Sequence, residues 1–340
     1  MRERLFNGFS LLRPLLVTMW RTFTDLPPVF RLMAMLLVCS PCSSFASVDV
    51  LVISSNSGDV YQKVDENIQA NFYPACAALN NGCPSVKWQS IDVNNEQRLT
   101  ESLDNKPSLI VTLGGKAAFW ALEHNPASPI VFTLIPKQTF NSMKQDIPDG
   151  MEYFVLFLDQ PFDRQFKLIK YALPDRTRVG ALLGPLSSKL GPELKRDADA
   201  NNFSLNTVIL DDKKNIGRSL KTLLDVSDVL FSVPDPLVFN RQSIFSILLT
   251  TYHSRTPVVG FSKAYVKAGA LIALYSSPEQ IGRHTAEIIA DYYHGSSMPL
   301  PNHGYPRYFS VATNNNVARS LDISLPEPDE LTKLLKRAPL

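Results

Sequence analysis

From Val48 onward, short apolar runs rich in β-branched residues alternate with stretches of helical period, and this alternation constrains the fold more than any other feature. The runs fall at 48–53, 86–91, 109–113, 130–134 and 153–158, and again at 179–183, 207–210, 229–233 and 258–261. Each is nearly continuous in apolar character, as strands are when helices cover both faces of a parallel sheet. Between the first two runs, Val60, Val64, Ile68 and Phe72 recur every four residues, which marks one buried helix face and completes a βαβ unit. Asp159-Gln160-Pro161 separates the two sets. After it, Phe162, Phe166, Ile169 and Leu173 form a helix stripe ended by Pro174. The stretch 237–252 is the longest apolar helix candidate of the second set, and its aromatics are assigned to the core. The expected fold class is α/β, with two Rossmann-like lobes built on parallel sheets.

The order of the last third of the chain predicts how the lobes are joined. Pro257-Val258-Val259-Gly260-Phe261 reads as a strand, Lys267-Ala268-Gly269 as a crossing, and 270–274 as a strand beyond it. A strongly punctuated helix follows, with Ser277 as N-cap, Pro278 at the first helical position, Gln280 reaching back and Gly295 past the end. Its buried face is expected at Ile281, Ile288, Ile289 and Tyr292. A strand at 308–311 and a short helix at 314–320 close the pattern. Passages near Leu158, Ala268 and Tyr305 would make a three-stranded hinge. The first lobe is then 47–158 with 268–304, the second 159–267 with 305–330, and 331–340 a tail.

Residues 1–46 read as an export signal, to be set aside from the fold. The apolar stretch Met33-Ala34-Met35-Leu36-Leu37-Val38 follows Arg31, and Ser44-Phe45-Ala46 offers a small-x-small cleavage pattern that makes Ser47 the first mature residue. A start at Met19 gives a more ordinary signal. An uncleaved anchor needs a longer apolar run, of about 20 residues. Leu36-Leu37-Val38-Cys39 offers lipid attachment as a further route, with Val38 a poor fit before Cys39. A periplasmic location is therefore expected. Removal of Cys39 and Cys42 leaves Cys76 and Cys83, which flank a helix end and a Gly turn and are expected to form a local disulfide. A formal net charge of +2 without long runs of one sign argues against a nucleic-acid partner.

At these residues the chain resembles the substrate-binding proteins of ABC transporters, in the family with tryptophan- and tyrosine-associated members and the type I periplasmic-binding fold. The resemblance covers the whole mature chain. It is carried by the Pro-Val-Val-Gly strand at 257–260, Val266-Lys267-Ala268-Gly269-Ala270, Gly282-Arg283 with its helix, and the Asn-x-x-x-Ala-x-x-Leu-x-Ile-x-Leu-Pro ending, which begins at Asn314 or Asn315. Leu173-Pro174-Asp175-Arg176-Thr177-Arg178-Val179-Gly180 shares it. The family's Asn-x-Thr-Gly crossing after the fourth strand is absent, replaced by 146–153.

The resemblance implies a ligand held between the lobes by loops at the carboxyl ends of strands, where α/β sheets leave a crevice and helix starts seat carboxylates. Four loops answer to this. Ser54, Ser55 and Asn56 precede the first helix and also suit its cap. Gly114 and Gly115 allow close backbone approach, and Lys116 adds charge or lies solvated in the first turn. Ser187 and Ser188 are N-caps or hydroxyl donors. Asp235 is either the partner of a ligand amine or an N-cap between prolines. Tyr265, just before the expected crossing, is a candidate wall of the cleft.

No catalytic constellation is present: His124, His253, His284, His294 and His303 lack metal-ligand spacing, His284 and His294 on one predicted helix read as surface residues, and neither a Gly-x-Ser-x-Gly elbow nor a dinucleotide fingerprint follows a strand. The reading is a monomeric exported solute-binding protein, without enzymatic activity or cofactor. It takes an amino acid or related small anion and delivers it to an ABC permease by hinge closure. A ligand-sensing input to a membrane signalling protein and an exported α/β enzyme are the alternatives.

Overall fold

The computed structural model describes residues 48–79, 84–124, 126–211, 215–295, 297–299 and 301–338. The expected export segment 1–46 and Cys83 of the expected disulfide lie outside the described residues, while Cys76 is buried. The first run of elements is β1 (Val48–Ser54), α1 (Asp59–Ala78), β2 (Val86–Asp92), α2 (Glu96–Asp104), β3 (Leu109–Leu113), α3 (Gly115–Glu123), β4 (Ile130–Ile135), α4 (Lys137–Met143) and β5 (Tyr153–Phe157). The second is α5 (Phe162–Ala172), β6 (Arg178–Leu183), α6 (Gly191–Ala200), β7 (Ser204–Ile209), α7 (Ile216–Leu224), β8 (Val229–Phe231), α8 (Ile244–His253), β9 (Val258–Gly260), α9 (Lys263–Ala268) and β10 (Ile272–Tyr275). The chain ends with α10 (Pro278–Gly295), β11 (His303–Gly304), β12 (Ser310–Thr313), α11 (Asn315–Ser320) and α12 (Pro328–Arg337).

These strands make two six-stranded sheets, ordered β11-β5-β4-β3-β1-β2 and β12-β10-β9-β8-β6-β7. All described pairings are parallel except β10 with β12. Strands β3 and β4 are buried along their whole length, as their unbroken apolar runs require when both faces are covered. On one face of the first sheet, α1 and α10 bring Val64, Ile68, Phe72, Ile281 and Ile289 together; on the other, α3 and α4 supply Ala117, Trp120, Phe140 and Met143. The second sheet is covered by α5, α6 and α12 on one side and by α7, α8 and α9 on the other. Val60, expected on the buried face of α1, is exposed, because that stripe begins at Val64.

The passage expected at Ala268 lies elsewhere. Ile272 pairs with Val259, so β10 belongs to the second sheet, and the chain leaves for the first lobe only at Ser276–Ser277. Gly269, at φ 129°, is the C-cap of α9 and turns the chain back into its own sheet; a helix-ending glycine and a lobe crossing look alike in sequence. The expected tail is also a packed element: α12 starts with Pro328 and buries Leu331 and Leu335 against the second core. The apolar stretch at 237–252 becomes helical only from Ile244, and its Phe245 and Tyr252 are exposed rather than core. Asn314, not Asn315, caps α11, its Oδ1 accepting the N–H groups of Asn316 and Val317 at 3.1 Å each.

The capping box of α10 is present: Gln280 Oε1 accepts the Ser277 N–H (2.9 Å) and Ser277 Oγ accepts the Gln280 N–H (3.3 Å). Around it the three crossings are laced together. Gln160 Nε2 donates to Ser276 Oγ (2.8 Å), Ser276 Oγ donates to the Tyr308 carbonyl (2.5 Å), and Arg164 Nη1 donates to Gln160 Oε1 (2.7 Å) and the Pro306 carbonyl (2.9 Å). The Arg164 guanidinium lies 4.4 Å from the centre of the Phe309 ring, and burial lowers its pKa to about 10, so it stays charged at neutral pH. His284, expected at the surface, is buried beside this hinge and accepts the Arg307 N–H (3.3 Å); burial and Arg307 lower its pKa to about 4.

Gly282 explains the Gly-Arg motif physically. A Cβ there would stand 2.6 Å from Asn67 Cβ and 2.7 Å from the Val64 carbonyl oxygen, so glycine is what lets α10 lie against α1. Alanine in an open helix site would stabilise by about 1 kcal/mol. Here Gly282→Ala is expected to destabilise by about 1–3 kcal/mol through overpacking, read as a lower urea midpoint; a raised midpoint would show that the helices do not need this approach.

Candidate functional site

Because both sheets are parallel in their interiors, the carboxyl ends of their strands converge on two edges that face each other. From the first lobe come the loops after β1, β3, β4 and β5; from the second, those after β6, β8, β9 and β10. Across the gap Gln138 Nε2, in the first turn of α4, donates to the Pro234 carbonyl (2.5 Å) after β8, which fixes this space as an interlobe cleft.

The first-lobe candidates gather at one corner. Ser54 ends β1 and is half-buried, and Ser55 is buried with Oγ accepting the Ala117 N–H (3.0 Å), so it ties the start of α3 rather than presenting a free hydroxyl. Asn56 Oδ1 accepts the Gly58 N–H (2.8 Å) just before α1. Gly114 adopts φ 91°, and a Cβ there would meet Ser55 Oγ at 2.7 Å and Tyr61 Cε1 at 2.9 Å, so the close approach foreseen for this glycine is toward its own lobe. Gly115 is half-buried, and Lys116 is exposed in the first turn of α3.

The second-lobe candidates are spent on holding loops. Asp235 is 3% exposed; its Oδ2 accepts the Ser187 N–H (2.9 Å) and Oγ–H (3.0 Å), and its Oδ1 accepts the Leu237 N–H (2.9 Å). Ser187 Oγ also accepts the Gly184 N–H (2.8 Å), while Gly184 has no Cβ to collide with the Asp235 carboxyl. The carboxylate therefore clamps the loop after β6 to the loop after β8 and caps the turn that follows. Ser188 is half-buried and donates to the Pro185 carbonyl (3.2 Å). Tyr265 does not precede the crossing, which lies past Tyr275; it packs in the core of the second lobe, 4.6 Å from Phe261 and 6.0 Å from Phe239 between ring centres. Burial raises its pKa.

Sequence reasoning passed over the group that bridges the cleft. Lys137 Nζ donates to Glu193 Oε1 (2.8 Å) and Oε2 (2.6 Å) on α6 and to Tyr305 Oη (2.8 Å) in the third crossing. The Lys137 N–H donates to Asp159 Oδ2 (2.6 Å) in the first crossing. Burial raises the Asp159 pKa despite the opposing backbone bond and charge of Lys137. A bulge places this corner: between Phe132 and Ile135 strand β4 advances three residues while β5 advances two, and Leu134 takes φ 54°. The sequence carries only a faint trace of it, Pro136 directly after a strand. Beside the hinge opens a groove of about 890 Å³ whose walls include Arg164, His284, Tyr305, Arg307 and Phe309.

The family model described as ABC transporter substrate binding protein matches residues 84–335. The chain belongs to this family. Its members are substrate-binding proteins that take small-molecule ligands for ABC permeases, and no described helix of this member is long and apolar enough to cross a membrane. Solved structures share the fold across the substrate-binding family. An ABC domain from Streptococcus pneumonia in complex with L-Trp is 17% identical, with a TM-score of 0.55, over 85% of this chain and 98% of its own. The ligand-free, open structure of a substrate binding protein with adhesive properties from Clostridium difficile is 16% identical, with a TM-score of 0.62, over 82% and 96%. A conserved domain protein from Vibrio cholerae is 19% identical, with a TM-score of 0.55, over 86% and 99%. No curated protein matches the chain.

If Asp235 is the clamp its bonds describe, Asp235→Ala leaves the two buried donors of Ser187 and the half-buried Leu237 N–H without their acceptor and should lower stability by about 1–3 kcal/mol, measured as a fall in melting temperature without added ligand. An unchanged melting temperature would return Asp235 to the role of a ligand contact.

Proposed function

We propose that this substrate-binding family member is an exported periplasmic protein. It captures an amino acid or related small anion between its lobes and delivers it to an ABC importer by hinge closure. The single observation that carries the ligand class is the corner at the start of α3. There the chain turns at Gly114 with φ 91°, the Ser55 hydroxyl holds the Ala117 N–H, and Lys116 stands exposed in the first turn. The positive end of a helix dipole joined by a lysine charge favours a carboxylate. Ser54, Asn56 and Gly115 in the first lobe and Ser188 in the second are the remaining candidates for contact with the ligand. With Asp235 spent internally, the amine of an amino acid would meet backbone carbonyls or side-chain oxygens at the cleft edge rather than this carboxylate.

Closure follows from differential affinity: a ligand touching both lobes binds the closed state better and shifts the population toward it. Isothermal titration with amino acids and small carboxylates should give saturable binding at one site. Lys116→Ala should weaken a carboxylate ligand about two- to fivefold, the range of a charge at a helix start. Turnover of these compounds with no saturable binding would refute the reading.

Export implies that the chain begins at Ser47 after processing and that Cys76 and Cys83 oxidise to a disulfide. Intact mass and amino-terminal sequencing of the protein recovered from the periplasm should show that start and a mass gain on reduction. Retention of residues 1–46 in the recovered protein would argue against cleavage.

A further inference from the structure

We propose that Lys137, Glu193 and Tyr305 form an interlobe latch that favours the closed cleft before any ligand arrives, and that Lys137 thereby sets ligand affinity without touching the ligand. This goes beyond the ligand reading above and stands or fails independently of it. Lys137 begins α4 in the first lobe, Glu193 lies on α6 in the second, and Tyr305 is in the third crossing. Lys137 Nζ lies 2.6 Å and 2.8 Å from the two carboxylate oxygens, and Tyr305 Oη accepts from the ammonium (2.8 Å) while donating to Glu193 Oε1 (3.1 Å). Lys137 and Glu193 belong to different lobes, so an opening that carries α4 away from α6 separates them and strains the bond from Gln138 to the Pro234 carbonyl.

Three features separate this contact from an incidental surface pair. Both side chains are 21% exposed, so water screens them less than it would a solvent-exposed pair. The ammonium meets Tyr305 through its hydroxyl and lies 5.9 Å from the centre of the Phe157 ring, where an aromatic face adds attraction for a cation. The backbone is committed in advance: Asp159 holds the Lys137 N–H, and the bulge with Leu134 at φ 54° aims the corner toward the second lobe. A non-glycine residue in that region carries a conformational cost of about 1–3 kcal/mol, which persists where surrounding structure over-determines it.

Every member of the latch is a group of the chain itself, so its closing effect needs no ligand. A ligand that binds the closed state then meets a larger competent fraction, and its apparent affinity rises by the same factor. Lys137 is a positioning residue in this sense.

The test is small-angle X-ray scattering of the purified protein with no small molecule added, comparing wild type, Lys137→Met and Tyr305→Phe. Loss of the ion pair should move the closed-to-open ratio about two- to fivefold toward open, seen as a larger radius of gyration, with Tyr305→Phe shifting it in the same direction by less. Circular-dichroism melting confirms that each variant is folded. If Lys137→Met does not fold, Tyr305→Phe with Glu193→Gln decides the matter, because both preserve side-chain shape. Scattering profiles that superimpose on wild type overturn the latch, whatever the ligand proves to be.

Discussion

The Arg164 guanidinium, stacked on Phe309 and bonded to Gln160 and to the Pro306 carbonyl, holds together the place where the chain passes three times between its lobes. Neither lobe is continuous in sequence: the first needs α10 and β11, and the second needs β12 and α12. Each lobe completes its core only after the chain has crossed back, so the crossings must be registered against one another. The relay from Gln160 through Ser276 to the Tyr308 carbonyl supplies that registration with neutral groups. Arg164 adds a charge that stays ionised despite burial. A buried polar network of this kind is costly when half-satisfied, and its donors and acceptors here are matched from all three segments.

The same rule shapes the cleft. At the carboxyl end of a parallel sheet, strands stop, helices begin, and buried N–H groups need acceptors. Ser55 answers for Ala117, and Asp235 answers for Ser187 and Leu237. The side chains whose chemistry suits a ligand are thus often those that the loop consumes to hold its own shape. The start of α3 keeps a turn at Gly114 and an exposed lysine, Lys116. The two lobes meanwhile meet through Lys137, Gln138, Glu193 and the Pro234 carbonyl. Closure in such a protein is an equilibrium between protein–protein and protein–ligand contacts, and both sets occupy one narrow edge.

Much of the architecture was legible because its signals are local. The unbroken apolar runs at 109–113 and 130–134 could only be strands buried on both faces, and Ser277, Pro278 and Gln280 specify a helix start through bonds within four residues. The site was less legible. Asp235 stands out in sequence for its charge, yet its bonds depend on Ser187, forty-eight positions away. Tyr265 reads as a hinge residue only because a C-cap glycine at Gly269 resembles a crossing. His284 reads as a surface residue because the third crossing covers it only after folding.

The sequence by itself therefore determined the alternation of strand and helix, the two-lobed α/β class, the helix caps and the family, since each depends on residue type and short-range spacing. Only the tertiary structure decided which sheet β10 joins, that 328–337 packs as a helix, which polar groups are spent internally, and that Lys137 reaches Glu193. Those outcomes rest on pairings between segments far apart in the chain. Their partners acquire a distance and a dielectric environment only when both lobes have formed.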